Sequence, residues 1–169
     1  MFTKDDFLAS VRHETAVAKH LFEKLPGGAL DKALGDGMRT TLELLRYLPY
    51  CGYIPLHCSL ERCWDKAAEV LAEGGHKEMP AEDFPRRMDE QVARITEILA
   101  PFSDAELRER KGLLPWGSED AMGRIAVNCS LAFLTAYRMQ LFLHAKTAGA
   151  SDLTTMNCWL GKDAPPPTE

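Results

Sequence analysis

Apolar residues recur every three or four positions along four long stretches of the chain, a spacing that places them on one side of an α-helix. These stretches cover residues 3–24, 38–75, 86–100 and 118–147. No segment alternates apolar and polar residues for long enough to predict a convincing β-strand. The pattern therefore predicts an all-α fold, an antiparallel four-helix bundle whose long helices are joined by loops.

The second stretch, residues 38–75, is expected to form a kinked or broken helical arm. Pro49 lies inside it, and proline lacks the N–H group that continues the helical hydrogen-bond ladder. The helix is expected to resume after the proline and to end at Gly74 and Gly75, because glycine accepts the turn that follows many helices.

The end of the chain has a different composition. One domain is expected over residues 1–160, with an irregular C-terminal segment around Trp159, and a disordered proline-rich tail is expected over residues 161–169. The spacing from Ser103 to Glu106 predicts a capped short helix, followed by a loop over residues 111–120.

Composition argues against several classes of function. The formal net charge of −5 and the absence of a run of basic and aromatic residues disfavour binding to nucleic acid or to a membrane surface. Two acids among the first ten residues argue against a secretory signal peptide. The most apolar stretch is interrupted by Arg138 and is therefore not expected to cross a membrane. Five cysteines, an odd number without a CxxC pair, indicate reduced thiols. A cytoplasmic protein is expected.

Two histidines and a glutamate on the first helix are candidate polar residues. His13 and His20 fall on the side opposite the apolar stripe, so they are expected to face solvent or a partner. Glu14 lies near the edge of that stripe, where a carboxylate needs a partner or access to water. Glu14 is therefore a candidate cavity residue.

Four zinc-compatible side chains lie between residues 51 and 63: Cys51, His57, Cys58 and Cys63. Their spacing matches no familiar zinc site. Cys58 and Cys63 are five residues apart, so on a continuous helix their side chains would diverge. Structural thiols beside a solvated histidine are the simpler interpretation.

The last long helix contains the run "LAFLTAYRMQLFLHAKTAG" at residues 131–149, with Tyr137, Arg138 and Gln140 near its middle. Helical spacing predicts one inward face for residues 118–147. That face comprises Ile125, Cys129, Ala132, Phe133, Ala136, Gln140, Leu141 and either Leu143 or His144.

Together, "MRTTLELLRYL" at residues 38–48 and "CSLAFLTAYRMQLFLHAKTAG" at residues 129–149 resemble the DinB-like superfamily of bacterial four-helix-bundle proteins. In that family a histidine follows the start of the second helix by seven residues, and the fourth helix carries HxxxH. The three histidines hold a divalent metal, and some members catalyse thiol transfer or hydrolysis. The resemblance also implies a homodimer formed through exposed helix faces.

The three ligand positions of the family fall on Tyr47, Phe133 and Tyr137 in this chain. Phenylalanine has no donor atom, and a neutral tyrosine is a poor ligand for zinc or nickel. The family metal site is therefore expected to be absent, and no cofactor is predicted.

The leading hypothesis is that a cavity in the middle of the bundle binds a partner or an apolar ligand with one polar group. Its candidate residues are Tyr47, Phe133, Tyr137, Gln140, Glu14, Cys51 and His144. Alternatively, the aromatic rings fill the space of the lost metal and form part of the core.

Two further alternatives remain. One is a metal-dependent thiol transferase or hydrolase that holds zinc or nickel through Glu14, Cys51, His57 or His144. The other is a dimeric scaffold with a structural or interaction role. The sequence leaves open whether the protein is an enzyme.

Overall fold

A computed structural model describes residues 3–165 of the chain. Its α-helices are α1 Lys4–Glu23, α2 Thr41–Cys51, α3 Tyr53–Glu61, α4 Ala67–Glu73, α5 Phe84–Leu99, α6 Asp104–Glu109, α7 Met122–Ile125 and α8 Ala132–Ala148. A two-stranded antiparallel hairpin pairs β1 Lys111–Leu113 with β2 Glu119–Ala121. The prediction of a mostly helical protein is confirmed. Residues 166–169 of the predicted tail lie outside the described residues.

Three helices begin with the same reciprocal cap. In each, a hydroxyl accepts a hydrogen bond from the N–H three residues later, and the carboxylate of that later residue accepts from the N–H of the cap residue. The caps pair Thr3 with Asp6 before α1, Thr40 with Glu43 before α2, and Ser103 with Glu106 before α6. The predicted cap of the short helix is confirmed.

The four longest helical elements enclose one core. Helix α1 packs against α5 and α8, and α2 packs against the same two helices. The apolar side chains between them are almost free of solvent, among them Leu21, Leu44, Leu45, Leu48, Phe84, Met88, Ile95, Leu99 and Leu141. Helix α3 extends this core by packing against α5, β1 and residues 126–131.

The second helical arm is broken, as predicted, but at Gly52 and not at Pro49. Pro49 lies inside α2, and α3 begins immediately after Gly52. Pro55, the third residue of α3, has no N–H to donate to the carbonyl of Cys51. The hydrogen-bond ladder therefore cannot run unbroken from α2 into α3.

A buried glutamine from α5 fills the gap in this ladder. The Gln91 side-chain oxygen accepts hydrogen bonds from the N–H groups of Gly52 at 2.8 Å and Tyr53 at 3.2 Å. Its side-chain nitrogen donates to the carbonyl of Leu48 at 3.2 Å. In an unbroken helix, that carbonyl would accept from the N–H of Gly52. The Gln91 amide thus stands between a donor and an acceptor that the break has separated.

The break also brings α8 close to the backbone. A Cβ atom added at Gly52 would lie 2.8 Å from Cδ1 of Leu134, so any side chain there would force Leu134 to move. The Ser130 hydroxyl donates to the Gly52 carbonyl at 2.5 Å. Glycine at this position therefore allows the close packing of the second arm against the last helix.

The continuation of the second arm differs from the prediction of one helix ending at Gly74. Helix α3 ends at Glu61, and Arg62 adopts a left-handed conformation with φ of 57°. A tight turn at Trp64–Lys66 precedes α4, and the Trp64 indole donates to the carbonyl of Leu113 at 2.6 Å. Neither glycine nor proline marks this turn in the sequence, so the break was not predicted.

Residues 111–120 form part of the β-hairpin and not the predicted loop. Each strand has three residues, too few to show an alternating pattern in the sequence. The last long helix therefore starts at Met122, later than the expected Ser118.

The predicted inward face of the last long helix is partly wrong. Phe133 is 39% exposed, and Ala132 and Ala136 are also exposed. The buried side chains of α8 are instead Leu134, Arg138, Leu141, His144 and Ala145. Residues 126–131 form a π-helical segment, whose wider turns hold more residues than α-helical turns. These wider turns change the direction of the side chains after them, so Leu134 is buried in place of Phe133.

Candidate functional site

Three aromatic side chains from two helices meet at one side of the bundle. The rings of Tyr47 on α2 and Tyr137 on α8 pack edge to face, with centroids 4.9 Å apart. The centroid of Phe133 lies 6.5 Å from that of Tyr137. These residues, called here the aromatic cluster, occupy the three positions that the family resemblance assigns to metal ligands.

The guanidinium group of Arg39 lies over this cluster. Its Cζ atom is 4.4 Å from the ring centroid of Tyr47 and 5.5 Å from that of Tyr137, within the range of cation–π attraction. Within residues 3–165, Arg39 forms no ion pair with a carboxylate. Its hydrogen-bond donors are therefore free to bind another group.

A cleft of about 500 Å³ opens beside Tyr47. It is called here the Tyr47 cleft, and the side chains of Arg39, Glu43, Arg46, Tyr47, Leu71, His76 and Lys77 line it. The protein backbone orients two of them: Nε of Arg46 donates to the Met79 carbonyl at 2.9 Å, and Nδ1 of His76 lies 2.9 Å from the Leu71 carbonyl. Because a carbonyl has no hydrogen to donate, Nδ1 of His76 carries the proton.

The residues at the aromatic cluster do not fit a divalent metal. Burial, together with the neighbouring Tyr137 and Cys51, raises the pKa of Tyr47, and the positive charge of Arg39 offsets this only in part. Tyr47 is therefore a neutral hydrogen-bonding group at physiological pH. Burial also raises the pKa of the Cys51 thiol, which donates to the Leu48 carbonyl at 3.3 Å. It is neither a thiolate ligand nor an activated nucleophile.

Glu14 does not join the aromatic cluster but forms a buried ion pair with Arg138. Nε of Arg138 donates to one Glu14 carboxylate oxygen at 2.8 Å, and Nη2 lies 3.4 Å from the other. The Arg138 side chain is 1% exposed and that of Glu14 is 12% exposed. Nη1 also donates to the Cys158 carbonyl at 2.6 Å, and the Trp159 ring packs 4.9 Å from Cζ.

Arg138 was not among the predicted site residues, although the sequence contains a signal for it. An arginine in the middle of an apolar helix, with a glutamate at the edge of another apolar stripe, is the pattern that a buried ion pair produces. What the sequence does not show is the pairing itself, because 124 residues separate the two side chains.

The segment after α8 folds back onto α1 and contacts both of its histidines. Nε2 of His13 donates to the Trp159 carbonyl at 2.8 Å, and the Asn157 amide donates to Nε2 of His20 at 3.1 Å. The expectation that both histidines face solvent or a partner holds for His13, which is exposed, whereas His20 is half-buried against the segment after α8. Within the predicted disordered tail, Asp163 pairs with Lys24 at 2.7 Å.

The two remaining candidate residues on α8 have different environments. His144 is buried, and its Nδ1 lies 2.9 Å from the Thr41 hydroxyl at the start of α2. Gln140 is half-buried, and its amide makes no hydrogen bond within the described part of the chain. Gln140 follows Tyr137 by three residues and so lies on the same side of the helix.

The burial of His144 predicts a pH dependence of stability. Burial lowers its pKa below the ordinary value of 6.5, an effect that a hydrogen bond with the Lys32 backbone opposes. As the pH falls below about 6.5, the unfolded chain binds a proton that the folded protein does not, so the free energy of unfolding decreases. Urea denaturation between about pH 7 and pH 5 should show a shallower decrease for His144→Asn than for the wild type.

His57→Asn is the control for this prediction. His57 is half-exposed and stacks on Tyr53, with ring centroids 5.4 Å apart. This substitution should leave the pH profile close to that of the wild type. A profile for His144→Asn as steep as that of the wild type would contradict the assignment to His144.

Residues 3–165 contain no group of three or more histidine, cysteine, aspartate or glutamate side chains able to hold a metal ion together. The predicted donors Glu14, Cys51, His57 and His144 therefore do not converge. Cys58 and Cys63 do approach each other, contrary to expectation, because the left-handed Arg62 turns the chain and lets the Cys63 N–H donate to the Cys58 carbonyl at 3.0 Å. Burial, followed by the neighbouring Cys63, raises the pKa of the Cys58 thiol to about 12.

No protein-family model, curated protein or solved structure gives a significant match to the chain. Among the helices of residues 3–165, none is both long and apolar enough to cross a membrane. The geometry of the aromatic cluster and its cleft is therefore the basis for assigning a function.

Proposed function

We propose that this chain is a DinB-like four-helix-bundle protein that has lost the family metal site and binds a small molecule in the Tyr47 cleft. One observation carries the proposal: the three substituted ligand positions meet in space, and a cleft of about 500 Å³ lies beside one of them. That volume is within the range of small-molecule sites in proteins.

The packing of the helices supports the bundle. Helices α1, α5, α2 and α8 contact one another in a closed ring, as the four helices of a bundle do. The positions of Tyr47 and of the pair Phe133 and Tyr137 support the family register, because residues far apart in sequence come together only if α2 and α8 face each other correctly.

Exposure of the cluster favours a binding site over a sealed aromatic core. Phe133 is 39% exposed, and both tyrosines are only partly buried. Arg39 lies over the rings with free donors, and the Gln140 amide beside Tyr137 has no partner within residues 3–165. Polar groups left free beside an apolar surface are typical of ligand pockets.

Binding can be tested with 2-naphthamide, a neutral aromatic probe, by following backbone amide shifts in NMR titrations. The shifts should concentrate at the residues that line the Tyr47 cleft. Leu71→Trp, which fills the cleft, should abolish them, whereas Leu160→Trp, at a residue that is 50% exposed elsewhere, should not. Absence of binding by both 2-naphthamide and its anionic analogue 2-naphthoate, or shifts that Leu71→Trp leaves unchanged, would overturn the proposal.

The family register makes a separate prediction about metal. The triple variant Tyr47→His, Phe133→His and Tyr137→His should bind zinc or nickel at near-stoichiometric amounts, because it restores three imidazole ligands to neighbouring positions. Elemental analysis after dialysis measures this. Double variants that lack one histidine are the controls. A folded triple variant without metal would count against the register.

Elemental analysis also tests the rival hypothesis of a metal-dependent thiol transferase or hydrolase. We expect the wild-type protein to contain no stoichiometric zinc or nickel. If it does contain either metal and loses it on substitution of Cys51 or His144, the site has been rebuilt from other donors and the metal-free proposal is wrong.

A homodimer is the second candidate role, and exposed apolar side chains favour it. Phe133 and Leu143 on α8 are 39% and 44% exposed, and Met38 beside α2 is 49% exposed. Apolar side chains at such positions are common at subunit interfaces. Sedimentation equilibrium should show a dimer that Phe133→Asp weakens, while a monomer at all concentrations would exclude this role.

A further inference from the structure

We infer that the ligand of the Tyr47 cleft is an organic acid, a small molecule with an apolar body and one carboxylate or phosphate group. This inference rests on the proposed binding function and adds the chemical class of the ligand. Its basis is the charge of the cleft, which is opposite to that of the whole chain.

The cleft concentrates positive charge in an acidic protein. Arg39, Arg46 and Lys77 line it together with one carboxylate, that of Glu43. The chain as a whole carries a formal net charge of −5. A local excess of cations attracts a small anion, while the overall charge repels large polyanions such as nucleic acids.

These cations lack the carboxylate partners that several other arginines of the protein have. Arg62 pairs with Glu119, Arg86 with Asp83, and Arg124 with Asp120. Within residues 3–165, by contrast, neither Arg39 nor Lys77 forms an ion pair, and Arg46 uses only Nε, on the Met79 carbonyl. The cleft therefore offers cationic donors that the described part of the chain does not neutralise.

The one carboxylate of the cleft is already engaged. Oε2 of Glu43 accepts a hydrogen bond at 2.8 Å from the N–H of Thr40, as part of the cap of α2. This bond holds the carboxylate at the start of the helix, where the helix dipole also stabilises negative charge. Glu43 thus has a structural role in the cap, and within residues 3–165 it forms no ion pair with the cations of the cleft.

The remaining lining fits the apolar body of such a ligand. Leu71 and the ring of Tyr47 supply apolar surface. Arginine binds carboxylates and phosphates through two parallel N–H groups, so Arg39 and the terminal nitrogens of Arg46 suit either anion.

The experiment compares 2-naphthoate with 2-naphthamide, which has the same shape but no charge. Calorimetry and NMR titration should show that the wild type binds the anion about tenfold or more tightly, the gain expected from charge-assisted hydrogen bonds. Arg39→Gln and Arg46→Gln should each remove most of this preference. Arg12→Gln, which removes an exposed arginine of α1 outside the cleft, should preserve it.

The outcomes separate this inference from the proposed function. Equal binding of both probes in the cleft would overturn the inference and leave the function standing, whereas binding of neither would overturn the function itself. A preference for the anion that persists in both arginine variants would also overturn the inference. A parallel titration with 2-naphthyl phosphate distinguishes the two kinds of ligand. Tighter binding of 2-naphthoate indicates a carboxylate ligand, and tighter binding of 2-naphthyl phosphate indicates a phosphate ligand.

Discussion

Replacement of Arg138 by methionine is expected to lower the free energy of unfolding by about 3–5 kcal/mol, because it leaves one charge of a buried pair without its partner. The Glu14 carboxylate is 12% exposed and bonds to Nε of Arg138 at 2.8 Å. The Cys158 carbonyl would lose its donor in the same substitution. Urea denaturation near neutral pH measures the change.

Two controls test whether the loss comes from the stranded carboxylate. The double variant Glu14→Met with Arg138→Met should be more stable than Arg138→Met alone, because well-packed apolar residues can replace a buried pair. Lys19→Met breaks the more exposed pair of Lys19 with Asp89 and should change stability by about 1 kcal/mol or less. The single variant Glu14→Met completes the comparison. If the double variant loses as much stability as the two single variants lose together, the burial argument is wrong.

This pair also places the C-terminal segment in the fold. Arg138 joins α8 to Glu14 on α1 and to Cys158 and Trp159 in the segment that follows. His13 and His20 on α1 form hydrogen bonds with the same segment. The loss of Arg138 should therefore loosen residues 156–160 before the rest of the protein, which hydrogen exchange can resolve.

Local patterns in the sequence predicted the helices and caps that neighbouring residues determine. The apolar stripe of α1 and the cap at Ser103 depend on residues within a few positions of one another. The break in the second arm was expected at Pro49, and its position at Gly52 involves Gln91 of another helix. The turn at Arg62 and the three-residue strands carry no such pattern, and the contact of Trp64 with Leu113 is tertiary.

The error along the last helix has a geometric cause. The π-helical segment at 126–131 has wider turns that change the direction of the side chains after it, and no composition rule reveals such a segment. The predicted inward face is correct at Cys129, Leu141 and His144, but Leu134 is buried in place of Phe133. Arg138 is buried for the same reason.

The candidate site was only partly predictable. The family resemblance supplied Tyr47, Phe133 and Tyr137, which lie together in the structure. The cations of the cleft were missed because Arg39 precedes the start of α2, Arg46 lies inside α2 and Lys77 follows α4, so no helical spacing relates them. The packing of α4 and the turn after it completes the cleft, and that packing cannot be read from local spacing.

Gln91→Leu is expected to lower the free energy of unfolding by about 2–4 kcal/mol, because each buried backbone group left without a partner costs about 1–3 kcal/mol. The substitution removes the acceptor of the N–H groups of Gly52 and Tyr53 and the donor to the Leu48 carbonyl. Leucine has nearly the size of glutamine but cannot hydrogen bond. Urea denaturation gives the total loss, and hydrogen exchange at the amides of Gly52 and Tyr53 locates it.

Gln140→Leu is the matched control, since the amide of Gln140 makes no hydrogen bond within residues 3–165. It should change stability by about 0.5 kcal/mol or less. Equal effects of the two substitutions would mean that the Gln91 amide does not stabilise the break. The expected difference would instead show how the arm can break at Gly52: the Leu48 carbonyl and the N–H groups of Gly52 and Tyr53 stay buried at the break because another helix supplies an amide between them.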